Sequence, residues 1–316
     1  MPNENSKKFN KDNFVTKNNY FRFENSSTSP TYKVVRIAIR LLNSILSGFF
    51  GIKVISANPR NSELVNYVVD HKLEEMKLQN LSLKLCEFFK DGGIICQQSE
   101  LQKYITDFDV LFRNSKLDNN FGGMGYNSGL ITFVFACIVG PKIAYESGVW
   151  KGFTTYILDQ STSPECKIYC FDISFVNLVF KSDKAVYHEC DISEIDLSAH
   201  SGQHTFALFD DHVSHFERLN WCIDQKIRYA IFDDDVSPLT VHSDGWPPLP
   251  TLDMLFNYRS YPKKFEWVSG NKHGVCDMSD LDLADLSQKF FYLKMPDLFP
   301  FTGYRNTSET SLIISK

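Results

Sequence analysis

After Pro141 the chain settles into a rhythm that few folds can accept. Short apolar runs, "KIAYES" (142–147), "KIYCFDIS" (167–174), "KAVYHECD" (184–191), "HTFALFDD" (204–211) and "IRYAIFDDD" (227–235), read as strands. The segments "WKGFTTYILDQ", "FVNLVFKS" and "HVSHFERLNWCIDQ" read as helices between them. A helix between two strands returns the chain to the starting edge, so successive strands run parallel and both sheet faces are covered. The last runs, "KKFEWVSG", "KFFYLKMP" and "TSLIISK", are strand-like, with no long helix between the final two. That pattern predicts a terminal hairpin adding an antiparallel strand to a mostly parallel sheet.

Upstream, the pattern is helical. Residues 1–31 are too polar for a signal peptide and read as a disordered or loosely docked tail. Residues 32–118 read as a helical extension, and 119–316 as the α/β domain. Within the extension, Lys33, Arg36 and Arg40 recur at helical steps among Val, Ile and Leu over 32–56. This is the pattern of a helix packed on the domain, with contact to the inner membrane surface as the alternative. The uncharged run from Leu41 to Ile52 is too short to span a bilayer.

At 43% hydrophobic residues, the 316-residue chain can bury a substantial core, and its net charge of -5 argues against a nucleic-acid partner. The 8 cysteines form no CxxC pair and mostly sit in apolar runs, which predicts buried free thiols and a reducing, cytoplasmic setting.

The chemistry gathers at the strand ends, where doubly wound sheets bind ligands. The first strand runs into "YESGVWKGFTTYIL". Glu146, Gly148 and Gly152 form an ExGxxxG turn, and Thr154 and Thr155 open the following helix. The glycines predict a backbone that approaches a ligand closely. The acid precedes the glycines, so this is not the dinucleotide fingerprint. Asp172 ends the second strand, placed to accept from ribose hydroxyls, and Asp191 ends the third, near an adenine edge. The next two strands end in Asp210-Asp211-His212 and in Asp233-Asp234-Asp235. Parallel neighbours would bring both clusters to one edge, as hard oxygen ligands for Mg²⁺ or a similar cation. Structural roles stand beside this reading: Asp210 or Asp211 as a helix N-cap, and Asp235 as a turn or cap residue. Beyond them, "SPLTVHSDGWPPLPTLDMLF" offers Trp246, His242 and Asp244 to an acceptor, and Tyr304 and Arg305 are placed to meet a phosphate or carboxylate.

In their order, "IAYESGVWKGFTTYIL", "KIYCFDIS", "HECDIS", "FALFDDHVSHFERL" and "YAIFDDD" resemble class I S-adenosylmethionine-dependent methyltransferases. The resemblance is closest to the branch of macrocin-type sugar O-methyltransferases and cephalosporin-hydroxylase-like proteins, and covers about residues 120–316. It implies a Rossmann-like doubly wound sheet with an antiparallel C-terminal strand. It also implies that S-adenosylmethionine is held by Glu146, Gly148, Gly152, Thr154, Asp172 and Asp191. A divalent metal, Mg²⁺ by preference, falls to Asp210, Asp233 and Asp234. Asp235 departs from the family pattern, so which two of the three ligate stays open. His212 matches the family histidine and is the expected proton acceptor beside Asp210, with His215 as the other option. The implied reaction is O-methylation of a sugar or glycan precursor in carbohydrate biosynthesis. The expected partner is a small-molecule or glycan acceptor, with self-association as a further option. The competing readings are a metal-dependent glycosyltransferase, which "FDDD" would suit, and a non-catalytic methyltransferase-like binding protein.

Overall fold

The computed structural model describes residues 71–115, 123–197, 200, 204–237, 247–269, 272–305 and 309–316. The tail, the basic segment 32–56, and the proposed acceptor residues Trp246, His242 and Asp244 lie outside them.

Among the described residues three helices come first: α1 (His71–Asp91), α2 (Gln98–Asn114) and α3 (Tyr126–Val139). Gly140 ends α3 in a left-handed conformation (φ 57°), its N–H returning to Ala136 O at 2.9 Å. The alternating region then delivers β1 (Ile143–Ser147), α4 (Phe153–Ser161), β2 (Lys167–Phe171), β3 (Ala185–His188), β4 (Thr205–Phe209), α5 (His215–Asp224) and β5 (Tyr229–Phe232). A short helix α6 (Leu252–Phe256) precedes a separate hairpin of β6 (Lys264–Ser269) and β7 (Lys272–Asp277). Helix α7 (Leu283–Lys289), β8 (Phe290–Lys294), a helical turn α8 (Phe299–Thr302) and β9 (Ser311–Ser315) close the chain.

The main sheet has the order β3-β2-β1-β4-β5-β9-β8. The first five strands pair in parallel, and β9 and β8 complete the sheet antiparallel. This is the Rossmann-like doubly wound sheet with antiparallel C-terminal strands. All five residues of β1 and of β4 are buried, as strands covered on both faces must be. On one face α3 packs through Phe135, stacked on Phe89 and set against Phe206 and Tyr229. A Cβ on Gly92 would lie 2.6 Å from both Ile314 and Leu293, so α1 ends directly on β9 and β8. On the other face Trp221 of α5 meets Tyr145 and Phe209 edge-on.

Two expectations differ. Residues 175–182 do not form a helix. Leu178 N–H closes one turn onto Phe175 O at 3.1 Å, and Val179 and Phe180 then donate to Lys151 O, both at 3.1 Å, which ties the segment to the glycine turn. Its alternation of apolar residues leaves Val176 84% and Val179 65% exposed. The sequence reading also missed β7, whose Gly274 weakens the strand signal. The Trp267 indole fills that gap from across the hairpin, about where a Cβ would sit (2.7 Å).

All eight cysteines are free thiols. Among the described residues, no helix is long and apolar enough to cross a membrane.

Candidate functional site

The strand order reverses direction between β1 and β4, which opens a crevice at their C-terminal ends. The ends lie in register: Asp210 N–H donates to Ser147 O at 2.8 Å, and Asp233 N–H to Phe209 O at 2.9 Å. Each of the five parallel strands therefore carries a carboxylate at this one edge: Glu146, Asp172, Asp191, Asp210 and Asp233.

The β1–α4 turn is built from within. Gly148 (φ 89°) and Gly152 (φ 84°) hold conformations that favour glycine. The close approach they permit is to the chain itself, where a ligand was expected. A Cβ on Gly148 would lie 2.0 Å from Asp210 O, and one on Gly152 2.5 Å from Phe180 O. Gly148 thus lets the glycine turn lean directly on the first acidic turn.

Asp172 fixes this turn from β2. Its Oδ2 accepts from the Val149 and Trp150 N–H groups (2.8 and 3.0 Å), and its Oδ1 from Ser174 N–H (3.0 Å). A carboxylate offers about four acceptor positions, so capacity remains for one further donor. Glu146 is fully buried: its Oε2 accepts from Thr155 Oγ1 at 2.6 Å and from Cys170 Sγ at 3.3 Å, while Oε1 has no partner. Burial pushes its pKa up to about 8 despite those donors, so it is largely protonated at neutral pH. Thr154 is buried in the first turn of α4.

Asp191 belongs to an arrangement that the sequence did not reveal. It caps a short helical turn through Ser193, and Arg218 clasps it at 3.1 and 2.5 Å. Burial opposes its charge, but Arg218 and Ser193 outweigh that and hold its pKa at about 2. The same guanidinium, 2% exposed, donates from Nε to Asp211 Oδ2 at 2.7 Å. Asp211 also accepts from Val213 N–H at 3.2 Å, so of the two acids Asp211 takes the local turn role, while α5 itself starts at Ser214. One signal for Arg218 was present: a cation in the first turn of a helix opposes the macrodipole and calls for a specific acidic partner.

The three consecutive aspartates face three different partners. Asp233 Oδ1 accepts from Thr310 Oγ1 at 2.7 Å. Asp234 Oδ2 lies 3.3 Å from His212 Nδ1. Asp235, fully buried, accepts from Asp253 N–H (2.7 Å), Tyr292 OH (2.8 Å) and Ser311 Oγ (2.5 Å). Asp235 thus anchors distant segments, at Asp253, Tyr292 and Ser311, rather than capping the turn that follows it.

Asp210, His212 and Asp234 each place one ligand atom within 4.8 Å of the others. Burial and then the charges of Asp233 and Asp234 drive the Asp210 pKa well above the ordinary value. The structure therefore puts Asp233 electrostatically against Asp210, and adds His212 to the group as a possible nitrogen ligand. His212 (φ 57°) and Asp234 (φ 56°) both adopt the left-handed backbone that non-glycine residues rarely take, and Trp150 (φ 49°) does so in the glycine turn. Such positions concentrate at functional sites.

The two histidines separate cleanly. The His212 side chain is 38% exposed. His215 is buried, its Nδ1 accepts from Leu252 N–H at 3.1 Å, and burial lowers its pKa to about 3. His215 is a structural neutral imidazole, and His212 is the accessible one of the two. Tyr304 is also structural: it is buried and stacks on Tyr126 at 4.0 Å, so it does not meet a ligand anion as expected. Arg305 lies over the Phe299 ring.

No family model matches the chain, and no curated protein matches it. Among solved structures, it is similar to the O-methyltransferase TomG from Streptomyces achromogenes in complex with S-adenosylmethionine: 9% identity, TM-score 0.40, covering 75% of this chain and 98% of that one. It is also similar to the Podospora anserina methyltransferase PaMTH1 bound to S-adenosylhomocysteine: 12% identity, TM-score 0.39, covering 80% and 100%. A third likeness is to CmcI with Mg and S-adenosylmethionine: 18% identity and TM-score 0.28, covering 34% of this chain and about half (52%) of that one. Likenesses this distant carry no argument about activity.

Proposed function

We propose that this chain is an S-adenosylmethionine-dependent O-methyltransferase, assisted by a divalent cation, whose acceptor is a hydroxyl of a sugar or glycan precursor. One observation carries the reading: all five parallel strands bring a carboxylate to one edge. Arg218, the buried cation there, is committed to Asp191 and Asp211. With Glu146 largely protonated and Asp191 paired to Arg218, the acids left to meet a ligand are chiefly those after β4 and β5. Such a cluster suits ligands that bring positive charge, namely a sulfonium cofactor and a metal ion.

The residues present fit both groups. On the cofactor side, Asp172 is held by three backbone N–H groups and keeps acceptor capacity for a ribose hydroxyl. Glu146 leaves a buried oxygen without a partner beside the glycine turn. Gly148, Gly152 and Thr154 shape that turn, and Asp191, fixed by Arg218, closes the adenine end. On the cation side, Asp210 and Asp234 converge with His212, and Asp233 adds a further negative charge against Asp210, a repulsion that a divalent ion would relieve. Mg²⁺ suits such donors.

Bound there, the cofactor supplies an activated methyl group and the cation lowers the pKa of an acceptor hydroxyl. The chain's own part is to orient the acceptor and receive its proton. His212 is the base: Asp234 at 3.3 Å from Nδ1 orients the ring and supports its charge, and Nε2 takes the proton.

Calorimetric titration tests this reading against its rival. Micromolar binding of S-adenosylhomocysteine is the expected result. Binding of a nucleotide sugar and not of S-adenosylhomocysteine would replace it with the glycosyltransferase reading.

A further inference from the structure

The turn that carries Asp234 is gripped by one short stretch, residues 309–311, that leads into β9. Asp235 N–H donates to Glu309 O at 2.7 Å. Ser311 Oγ holds the Asp235 carboxylate at 2.5 Å. Thr310 Oγ1 donates to Asp233 Oδ1 at 2.7 Å and lies 2.7 Å from Ser128 Oγ, from which it can accept. Thr310 and Ser128 are 1% and 2% exposed, and Ser128 lies in the first turn of α3. A buried chain of hydroxyls therefore runs from the α3 N-terminus to Asp233, across 182 residues of sequence between Ser128 and Thr310.

This chain meets a specific physical need. Asp210 and Asp233 end neighbouring parallel strands, with Asp233 N–H bonded to Phe209 O at 2.9 Å, and like charges at adjacent strand ends repel. Thr310 commits one Asp233 oxygen to a neutral donor, while Glu309 O and Ser311 Oγ hold the Asp235 N–H and carboxylate on the other side of Asp234. Asp234 keeps its left-handed conformation (φ 56°) and its carboxylate stays turned to His212.

We propose that Thr310, supported by Ser128, is a positioning residue for the cation site, setting the Asp233–Asp234 turn so that its carboxylates face Asp210 and His212 together. The inference rests on the cation reading above. Groups that hold metal ligands from behind are worth about 10–100-fold in affinity. Thr310→Val keeps the β-branched shape and removes only the donor.

The test is Mn²⁺ binding to the full chain, followed by electron paramagnetic resonance, with S-adenosylhomocysteine affinity measured on the same samples. Thr310→Val should weaken Mn²⁺ by about 10–100-fold, Thr310→Ser should restore it, and cofactor-product affinity should stay unchanged. Native Mn²⁺ affinity in Thr310→Val overturns the proposal while leaving the cation site standing. Absence of Mn²⁺ binding in the native chain, with S-adenosylhomocysteine still bound, overturns the cation reading itself and this proposal with it. If Thr310→Val does not fold, Ser128→Ala carries the test: weakened Mn²⁺ binding supports the relay and native affinity overturns it.

Discussion

The two halves of the strand-end edge handle the same charge in opposite ways. On the β2–β3 side, the acids are balanced by the protein. Asp172 takes three backbone N–H groups, and Asp191 is clasped by Arg218. On the β4–β5 side, the charges that weigh most on Asp210 are all negative. Arg218 and Ser193 hold the Asp191 pKa down to about 2, and acids held this way keep a scaffold rigid. Crowded acids are stable only as protonated groups or with an added cation. The contrast separates carboxylates that build the site from carboxylates that wait for something to bind.

Removing the balance on the first side should have the largest effect. Arg218→Ala leaves Asp191 and Asp211 without their shared cation, and breaking a buried ion pair of this kind costs about 3–5 kcal/mol. Urea unfolding would show it as a lower midpoint. A loss under ~1 kcal/mol would mean that the two sides are not balanced differently.

A smaller effect concerns Glu146, buried between the two halves. Its folded pKa of about 8 exceeds the ordinary 4.5 of a free glutamate, so the folded chain keeps a proton that the unfolded chain releases. Its contribution is therefore full below about 4.5 and is lost as pH rises towards about 8, with a slope of up to ~1.4 kcal/mol per pH unit. Glu146→Gln should flatten that decline in a series of unfolding curves from pH 5 to 8. An unchanged slope would place the proton elsewhere.

The sequence made one side of this contrast much easier to read than the other. The strand alternation identified the parallel sheet, because buried parallel strands are continuous apolar runs with little ambiguity. The runs ending in Asp210 and Asp233 placed both acidic clusters at one edge, since parallel neighbours leave no other arrangement. What stayed hidden depended on long-range hydrogen bonds. Nothing local to Thr310 or Ser128 announces a contact with Asp233. Arg218 serves two acids from different strands, a pairing that only the folded sheet creates. The glycines were found for the right conformation but the wrong neighbour: their open side is filled by Asp210 and Phe180 backbone. The 175–182 segment has helical spacing, but its Val179 and Phe180 N–H groups are taken by the glycine turn, which overrides local propensity.

The central claim is that the Asp210–Asp234 side is built to be completed by a cation. Equilibrium titration of the full chain with Mn²⁺, comparing the native protein with Asp234→Ala, tests it most directly. The account predicts one bound ion in the native chain, an affinity at least ~10-fold weaker in Asp234→Ala, and equal S-adenosylhomocysteine binding in both. No bound ion in the native chain, or equal Mn²⁺ affinity in the two proteins, would contradict it.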